Sequence, residues 1–363
     1  MLIFYVVFFF LIIRFSITLF NFISNPKLPT SPIKHTDFVS LLIQVKNGER
    51  NIKELLESIQ LQDYKDFEVL ILDKGSTDQT RLICKSFSDT DARFQLLNQE
   101  VLEDGWLEEN FACHQLAKAA KGKYLIFIKP GVLLKNTLIT DSIHRIKQSK
   151  LAVLSVFSTH SMVSTSERLV APLMYFLLLS SLPLRLVRLS GNSLLAASSD
   201  DFIIYDASNY SNHQWHSQVK DNILAAFEIM KLIKSYQYNA EVLLSNGQLK
   251  SNTSTPYLHL VRNYSRIFLP AFQNNIAGLI CYLLLVIVGN IFIAIYLNSA
   301  LLLFAIGLII LIRIMISLLT AQNVLYNIIL HPLQMITLVI VSYYSIRNYI
   351  KNHSPSEQDK YEI

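Results

Sequence analysis

Four apolar runs, each of roughly twenty residues, constrain this chain more than any other feature. Leu2 to about Phe22 is interrupted only by Arg14; Ile276 to Leu297, Ala300 to Leu319 and Leu325 to Ile346 follow near the other end. In lipid, backbone N–H and C=O groups find no water, so runs of this length must be helical. The first has no basic region ahead of it and no small-residue cleavage site behind it, which reads as a retained anchor over 1–24. Arg14 at mid-run costs about 2.5–3.5 kcal/mol on insertion scales. It either snorkels from a tilted helix or pairs with another helix. The three later runs predict three membrane helices over 276–346, the last kinked or partly re-entrant at His331-Pro332, with His331 satisfied by a neighbour rather than acting as a ligand. A polar tail, 347–363, closes the chain and reads as disordered beyond Asn352. Hydrophobic residues make up 52% and mean hydropathy is +0.35, both beyond an ordinary soluble domain.

Between the runs the pattern changes. A link rich in proline and serine, 25–37, precedes alternating strands and helices. Phe38 to Ile43, Phe67 to Leu72, Phe94 to Leu97 and Tyr124 to Ile128 read as strands; Asn51 to Leu61, Ser76 to Phe87 and Glu108 to Ala120 have helical spacing. That alternation predicts an α/β domain over 38–265, built on a right-handed parallel sheet covered on both faces. Ligands of such sheets bind beyond the carboxyl ends of the strands, where Asn47, Asp73 and Lys129 fall. From Glu167 to Leu189 the chain turns apolar again, broken by Pro172 and Pro183 and flanked by basic residues. That stretch, 167–189, reads as a helix lying in the membrane interface, with a span as the alternative.

Net charge is +5 without a basic stripe interleaved with aromatics, which excludes nucleic acid as a partner and suits anionic headgroups. Cys84, Cys113 and Cys281 are odd in number and lack metal-ligand spacing; a reducing compartment suits them better than a disulfide framework or a zinc site. The apolar runs lack the paired polar interruptions of a transport path.

The stretch from Val39 to Ile52, with Gln44-Val45-Lys46-Asn47-Gly48-Glu49-Arg50-Asn51, resembles the opening of a family 2 glycosyltransferase of the GT-A, Rossmann-like nucleotide-sugar-binding fold. Leu55 to Tyr64, Phe67 to Asp78, Gly105-Trp106-Leu107, and Asn110 to Ala117 running into Ala120 to Tyr124 extend the likeness. These pieces, with Arg168 to Pro172, Leu182-Pro183-Leu184 and His331-Pro332, are similar to membrane-bound members acting on lipid or polyene acceptors. The resemblance implies inverting transfer of a sugar from a nucleotide donor. Acidic groups on the first two loops read the base and ribose, an aspartate pair holds the divalent metal, and a carboxylate in the second half takes the acceptor's proton.

The family's residues carry over incompletely. Asp73 is present, but the acid after it is Lys74; Asn47 is followed by Gly48 instead of an acid. The metal pair is replaced by Lys129 and Gly131, the Gly-Lys after the Gly-Trp signature by Glu108-Glu109, and the acidic pair of the catalytic base by Ala225-Ala226. No tryptophan lies near Arg262 to Arg266, where a donor motif is expected. These departures leave Asn47, Asp73, Lys74 and Lys129 as the nucleotide-binding set, with no metal or other cofactor expected. Asp200, Asp201 and Asp221 are the substitute carboxylates. Asp200-Asp201 otherwise punctuates a turn, and Asp221 otherwise caps or solvates a helix, on which it would share a face with Ala225. Two functions follow from the resemblance. One is a membrane-bound transferase with impaired metal-dependent catalysis, moving sugar to a lipid-like acceptor. The other is an inactive scaffold for an active enzyme. Lys27 and Lys34 beside the anchor place the soluble domain in the cytoplasm by the positive-inside rule, and the resemblance implies a multi-pass protein of a bacterial plasma membrane.

Overall fold

The computed structural model describes residues 2–251, 256–289 and 299–353. The chain divides into two compact units. One takes the described parts of Met1–Ile23, Met162–Leu182 and Ser254–Ile363; the other takes those of Ser24–Ser161 and Pro183–Thr253. The soluble domain expected over 38–265 therefore cedes Met162–Leu182 and everything beyond Thr253 to the helical unit.

The α/β unit contains β1 Val39–Val45, β2 Phe67–Asp73, β3 Phe94–Asn98, β4 Tyr124–Ile128, β5 Val132–Leu134, β6 Val153–Phe157, β7 Thr159–His160, β8 Phe202–Asp206, β9 Ala240–Leu244 and β10 Leu249–Ser251. Seven strands form one sheet in the order β3-β2-β1-β4-β8-β6-β9, and β5-β10-β7 form a small second sheet. The four strands expected from the sequence are parallel neighbours, linked by helices Ile52–Gln60, Thr80–Thr90 and Glu108–Ala119. The sheet as a whole is mixed, because β8 runs antiparallel to both β4 and β6.

Sequence explains the buried centre. In β2, Phe-Glu-Val-Leu-Ile-Leu-Asp is buried at every position, as a strand covered on both faces must be. Ile52, Leu55, Leu56 and Ile59 recur at helical spacing and bury the inner side of their helix, each contributing roughly 1.5–3 kcal/mol. A polar pair deep in β1 and β2 is satisfied: Ser40 Oγ donates to Glu68 Oε1 at 2.6 Å and accepts from Gly122 N at 2.8 Å. Gly122 must be glycine, since a Cβ there would lie 2.3 Å from the Ser40 backbone nitrogen. The link 25–37 is pinned to this unit rather than loose. Leu28 is fully buried, its N–H reaches Leu244 O at 2.9 Å, and Ser31 N donates to Asp141 Oδ1 at 2.6 Å.

In the helical unit, Tyr5–Ser24 and Ala300–Leu319 are long and apolar enough to cross a membrane. Helices Tyr257–Ala271 and Ile276–Ile287 meet at a 110° bend and make a third span only if they count as one. Three C-terminal spans are thus not found among the described residues. The first of those runs continues into 290–298, outside the described residues, and the last breaks at Leu330 into Val324–Ile329 and His331–His353. Gln334, Thr337, Ser342 and Ser345 place polar groups on the buried side of that final helix beside Met335, Leu338 and Val341. The stretch 167–189 is likewise two helices, Thr165–Ser181 and Leu184–Leu189, separated at Leu182-Pro183. Most of the predicted tail, 354–363, lies outside the described residues.

Candidate functional site

The loops after β1 and β2 are tied together by Asn47, with Asp73 bracing the second loop; both are among the four residues expected to touch nucleotide. Asn47 adopts φ +50°, a left-handed conformation that asparagine tolerates. Its Oδ1 accepts from Thr77 N at 2.9 Å, while its own N–H donates to Ser76 Oγ at 2.9 Å. Asp73, 2% exposed at the end of β2, accepts from Ser76 N at 3.1 Å and from Ser76 Oγ, and pairs with Arg81 Nη1 at 3.4 Å. Gly48 N donates to Thr80 Oγ1 at 2.7 Å, extending the same network. Both side chains are thereby committed to shaping this edge.

Lys74 is 8% exposed and its ammonium lies 3.7 Å from Glu108 Oε2 and 3.6 Å from Glu109 Oε1. Lys46 reaches Glu108 Oε1 at 2.9 Å. Desolvation opposes ionisation of Glu108, but the hydrogen bond from Lys46 and the charge of Lys74 outweigh it and hold the carboxyl below its ordinary range. Two departures of opposite sign, Lys74 and Glu108-Glu109, therefore compensate one another. The sequence held both signals; their proximity was what it could not show.

At the tip of β4, Lys129 is solvent-exposed and its N–H donates to Asp201 O at 3.2 Å. The antiparallel register sets Ile128 opposite Phe202, so Asp200 and Asp201 arrive at the same tip. Asp201 Oδ2 accepts from Ser158 Oγ at 2.5 Å. Desolvation by the protein around it, ahead of the opposing charge of Lys129 and the like charge of Asp201, holds the Asp200 carboxyl above its usual range. Asp200 still reaches solvent, which limits the size of that shift. One carboxylate, Asp200, therefore lies within electrostatic reach of Lys129, and no group of three or more His, Cys, Asp or Glu suited to a metal ion exists among the described residues.

Two residues of this neighbourhood were not among the site candidates read from the sequence. Gln44, near the end of β1, donates Nε2 to Cys113 Sγ at 3.3 Å, and its buried Oε1 has no hydrogen-bond partner among the described residues. The Cys113 thiol is pushed up to about 12 by desolvation and then by the charge of Asp200, with Lys74 acting in the opposite sense. Lys74, Cys113, Asp200 and Lys129 thus share one electrostatic neighbourhood.

Asp221 does not share a helix face with Ala225. It is exposed in a turn, four residues ahead of helix Ala225–Ser235. Asn222 Oδ1 accepts from Leu224 N at 2.8 Å, ending any helical path, and buried Asn110 donates Nδ2 to the carbonyls of Val219, Lys220 and Asn222 at 2.9–3.1 Å. Glu228 is paired with Lys231 at 2.9 Å. His216 and Trp215 are core residues: Tyr210 Oη lies 2.7 Å from His216 Nδ1, and burial pushes that imidazole down to about 3. Clefts of about 520 Å³ and 390 Å³ open beside Tyr124 and Asp206, and beside His114 and Tyr210; neither is lined by Asn47, Lys74, Lys129 or Asp200. The strand ends, rather than these clefts, locate the candidate site.

Residues 40–179 match the family model described as glycosyl transferase family 2. The glycosyltransferase GlyG of Streptococcus pneumoniae is 25% identical over 113 residues, which cover 31% of this chain and 36% of that protein. WfaP of Escherichia coli, a UDP-Glc:alpha-D-GlcNAc-diphosphoundecaprenol beta-1,3-glucosyltransferase, is 29% identical over 115 residues, 32% of this chain and 43% of that protein. The match spans less than half the length of either relative. The mannosyltransferase PcManGT of Pyrobaculum calidifontis, solved with GDP-Man and Mn2+, has a similar fold at TM-score 0.58 and 12% identity, over 95% of this chain and 99% of that one.

Proposed function

Because residues 40–179 form a family 2 glycosyltransferase domain on a GT-A fold, we propose that this chain binds a nucleotide sugar at the carboxyl ends of β1, β2 and β4 without a divalent cation. One observation carries the reading: the β4 tip presents Lys129 where a metal-holding acid is expected, with the Asp200 carboxylate within its electrostatic reach and the Asp201 carboxylate held by Ser158. Divalent cations need several oxygen ligands, and Asp73 and Asp201 are already held by Ser76, Arg81 and Ser158. An ammonium, by contrast, takes a diphosphate as a point charge. Lys74 is sealed against Glu108 and Glu109, which leaves Lys129 as the cation facing the donor.

The acceptor is lipid-like, a reading supported by the two apolar helices and by the acceptor named for WfaP. Transfer itself is impaired. A sugar leaving its diphosphate for an acceptor hydroxyl needs a base for the hydroxyl proton, and Ala225-Ala226 offers none; Asp200, with its raised carboxyl, is the substitute. The domain faces the cytoplasm of a bacterial plasma membrane, with Lys27 and Lys34 on that side. A second reading, a silent scaffold for an active transferase, is favoured by the combination of Ala225-Ala226 with the sealed Lys74.

Calorimetric titration of the full chain in detergent with UDP and GDP, in EDTA, tests this. Binding of at least one nucleotide is expected, weakened about tenfold (about 1.4 kcal/mol) in K129A. Binding that appears only when Mn2+ is added overturns the metal-free site; binding of neither nucleotide under any condition leaves the scaffold.

A further inference from the structure

Charge is handled differently in the helical unit. Glu167 is the only acid among its described residues, and its carboxylate accepts from Val163 N at 2.8 Å and Ser164 N at 3.0 Å in a helix-capping box. Yet two arginines are buried in the apolar helices, Arg14 at 4% exposure and Arg313 at 2%. Arg14 directs Nε and Nη2 onto a single hydroxyl, Ser180 Oγ, at 3.2 and 2.9 Å. Arg313 directs the same two atoms onto His331 Nδ1 at 2.8 and 2.6 Å. Their guanidinium carbons lie 4.4 and 3.8 Å from the centroid of one ring, Phe176.

Every one of these partners is neutral. Ser180 is a hydroxyl, and an imidazole that accepts through Nδ1 carries no charge. Two permanent cations therefore share a buried cluster without a counter-charge among the described residues, an arrangement that apolar surroundings strongly disfavour. A third group there is also incomplete: Tyr282 Oη, within electrostatic reach of both arginines, is buried with no hydrogen-bond partner among the described residues. Arg14 and Arg313 both lie within helices long and apolar enough to cross a membrane, so an anion that meets them there is carried by lipid.

We infer that Arg14, Arg313 and Tyr282 form a site for the phosphate of an anionic membrane lipid, one whose headgroup carries no cation of its own. Guanidinium forks match phosphate oxygens, and the headgroup supplies the missing negative charge. The site stands apart from sugar transfer: it exists whether or not the α/β unit binds nucleotide.

Thermal unfolding of the purified full chain in zwitterionic detergent decides the matter, with phosphatidic acid, phosphatidylcholine of the same acyl chains, and inorganic phosphate as probes. Phosphatidic acid should raise the midpoint saturably while the other two do not, and R14Q and R313Q should each weaken that response at least tenfold. An equal response to phosphatidylcholine, or wild-type responses from both variants, overturns the site. An equal response to inorganic phosphate overturns its assignment to a lipid. Should the variants fail to fold, native mass spectrometry of the wild type gives an independent readout. Phosphatidic acid adducts should survive collisional activation that strips phosphatidylcholine, and equal loss of both contradicts the inference.

Discussion

The β1–β2 loops and the tip of β4 lie at the same edge of the sheet and treat charge in opposite ways. At the loops, Asn47 and Asp73 spend their side chains on neighbouring backbone and hydroxyl groups, so they hold the edge in shape. At the tip, Lys129 is exposed and spends only its backbone N–H on Asp201. Side chains at the loops brace the edge, whereas the Lys129 side chain at the tip stays exposed, and the strands pair in register around both.

The largest effect expected from breaking this contrast is on the bracing side. D73A removes the acceptor of Ser76 and the partner of Arg81 from a site 2% exposed, and should destabilise the chain by roughly 3 kcal/mol, read as a lowered unfolding midpoint. Next comes the compensated pair. K74E sets three carboxylates against one another and should cost roughly 2 kcal/mol, much of it recovered in K74E/E109K; a double-mutant cycle without coupling would show that the pair is incidental.

Sharpening the contrast calls for restoring acids to the tip. K129D/G131D should cost roughly 1 kcal/mol of stability, because Gly131 sits at φ +97° where a side chain is strained, and make Mn2+ tighten nucleotide binding about tenfold, or about 1.4 kcal/mol by calorimetry. The smallest effect is on pH. The Asp200 carboxyl is held above its usual range, so acidification protonates it early and removes a competing negative charge beside Lys129. Nucleotide affinity should therefore rise as pH falls through that raised value, and D200N should flatten the profile at its acid-side level. The same sign applies to stability, because the folded chain holds the Asp200 proton more tightly and its contribution is lost as pH rises.

Much of the α/β unit was legible because its strands are continuous apolar runs that no helix pattern matches, as in Tyr124 to Ile128. Phe202 to Tyr205 resembled a strand of the family, but its antiparallel direction was not legible, since its partner strands are set by long-range pairing. The membership of the site was half legible. Asn47, Asp73, Lys74 and Lys129 do gather at the strand ends, but the Lys74–Glu108 and Lys74–Glu109 pairs and the Gln44–Cys113 contact depend on the sheet bringing β1, β2 and helix Glu108–Ala119 together. Asp221 misled because helical spacing was extended backward across Asn222, whose own side chain caps the turn. In the helical unit, apolar length alone overstated the spans, since buried Asn327 and Gln334 bond each other at 3.1 Å within the last run and satisfy polar groups there.

The most direct test of a cationic β4 tip is the electron paramagnetic resonance spectrum of Mn2+ with the wild-type chain and UDP. A metal-free donor site leaves the spectrum that of Mn2+ and UDP in solution at every protein concentration, while K129D/G131D converts it to an immobilised signal. An immobilised Mn2+ signal in the wild type, saturating at one ion per chain, would contradict it.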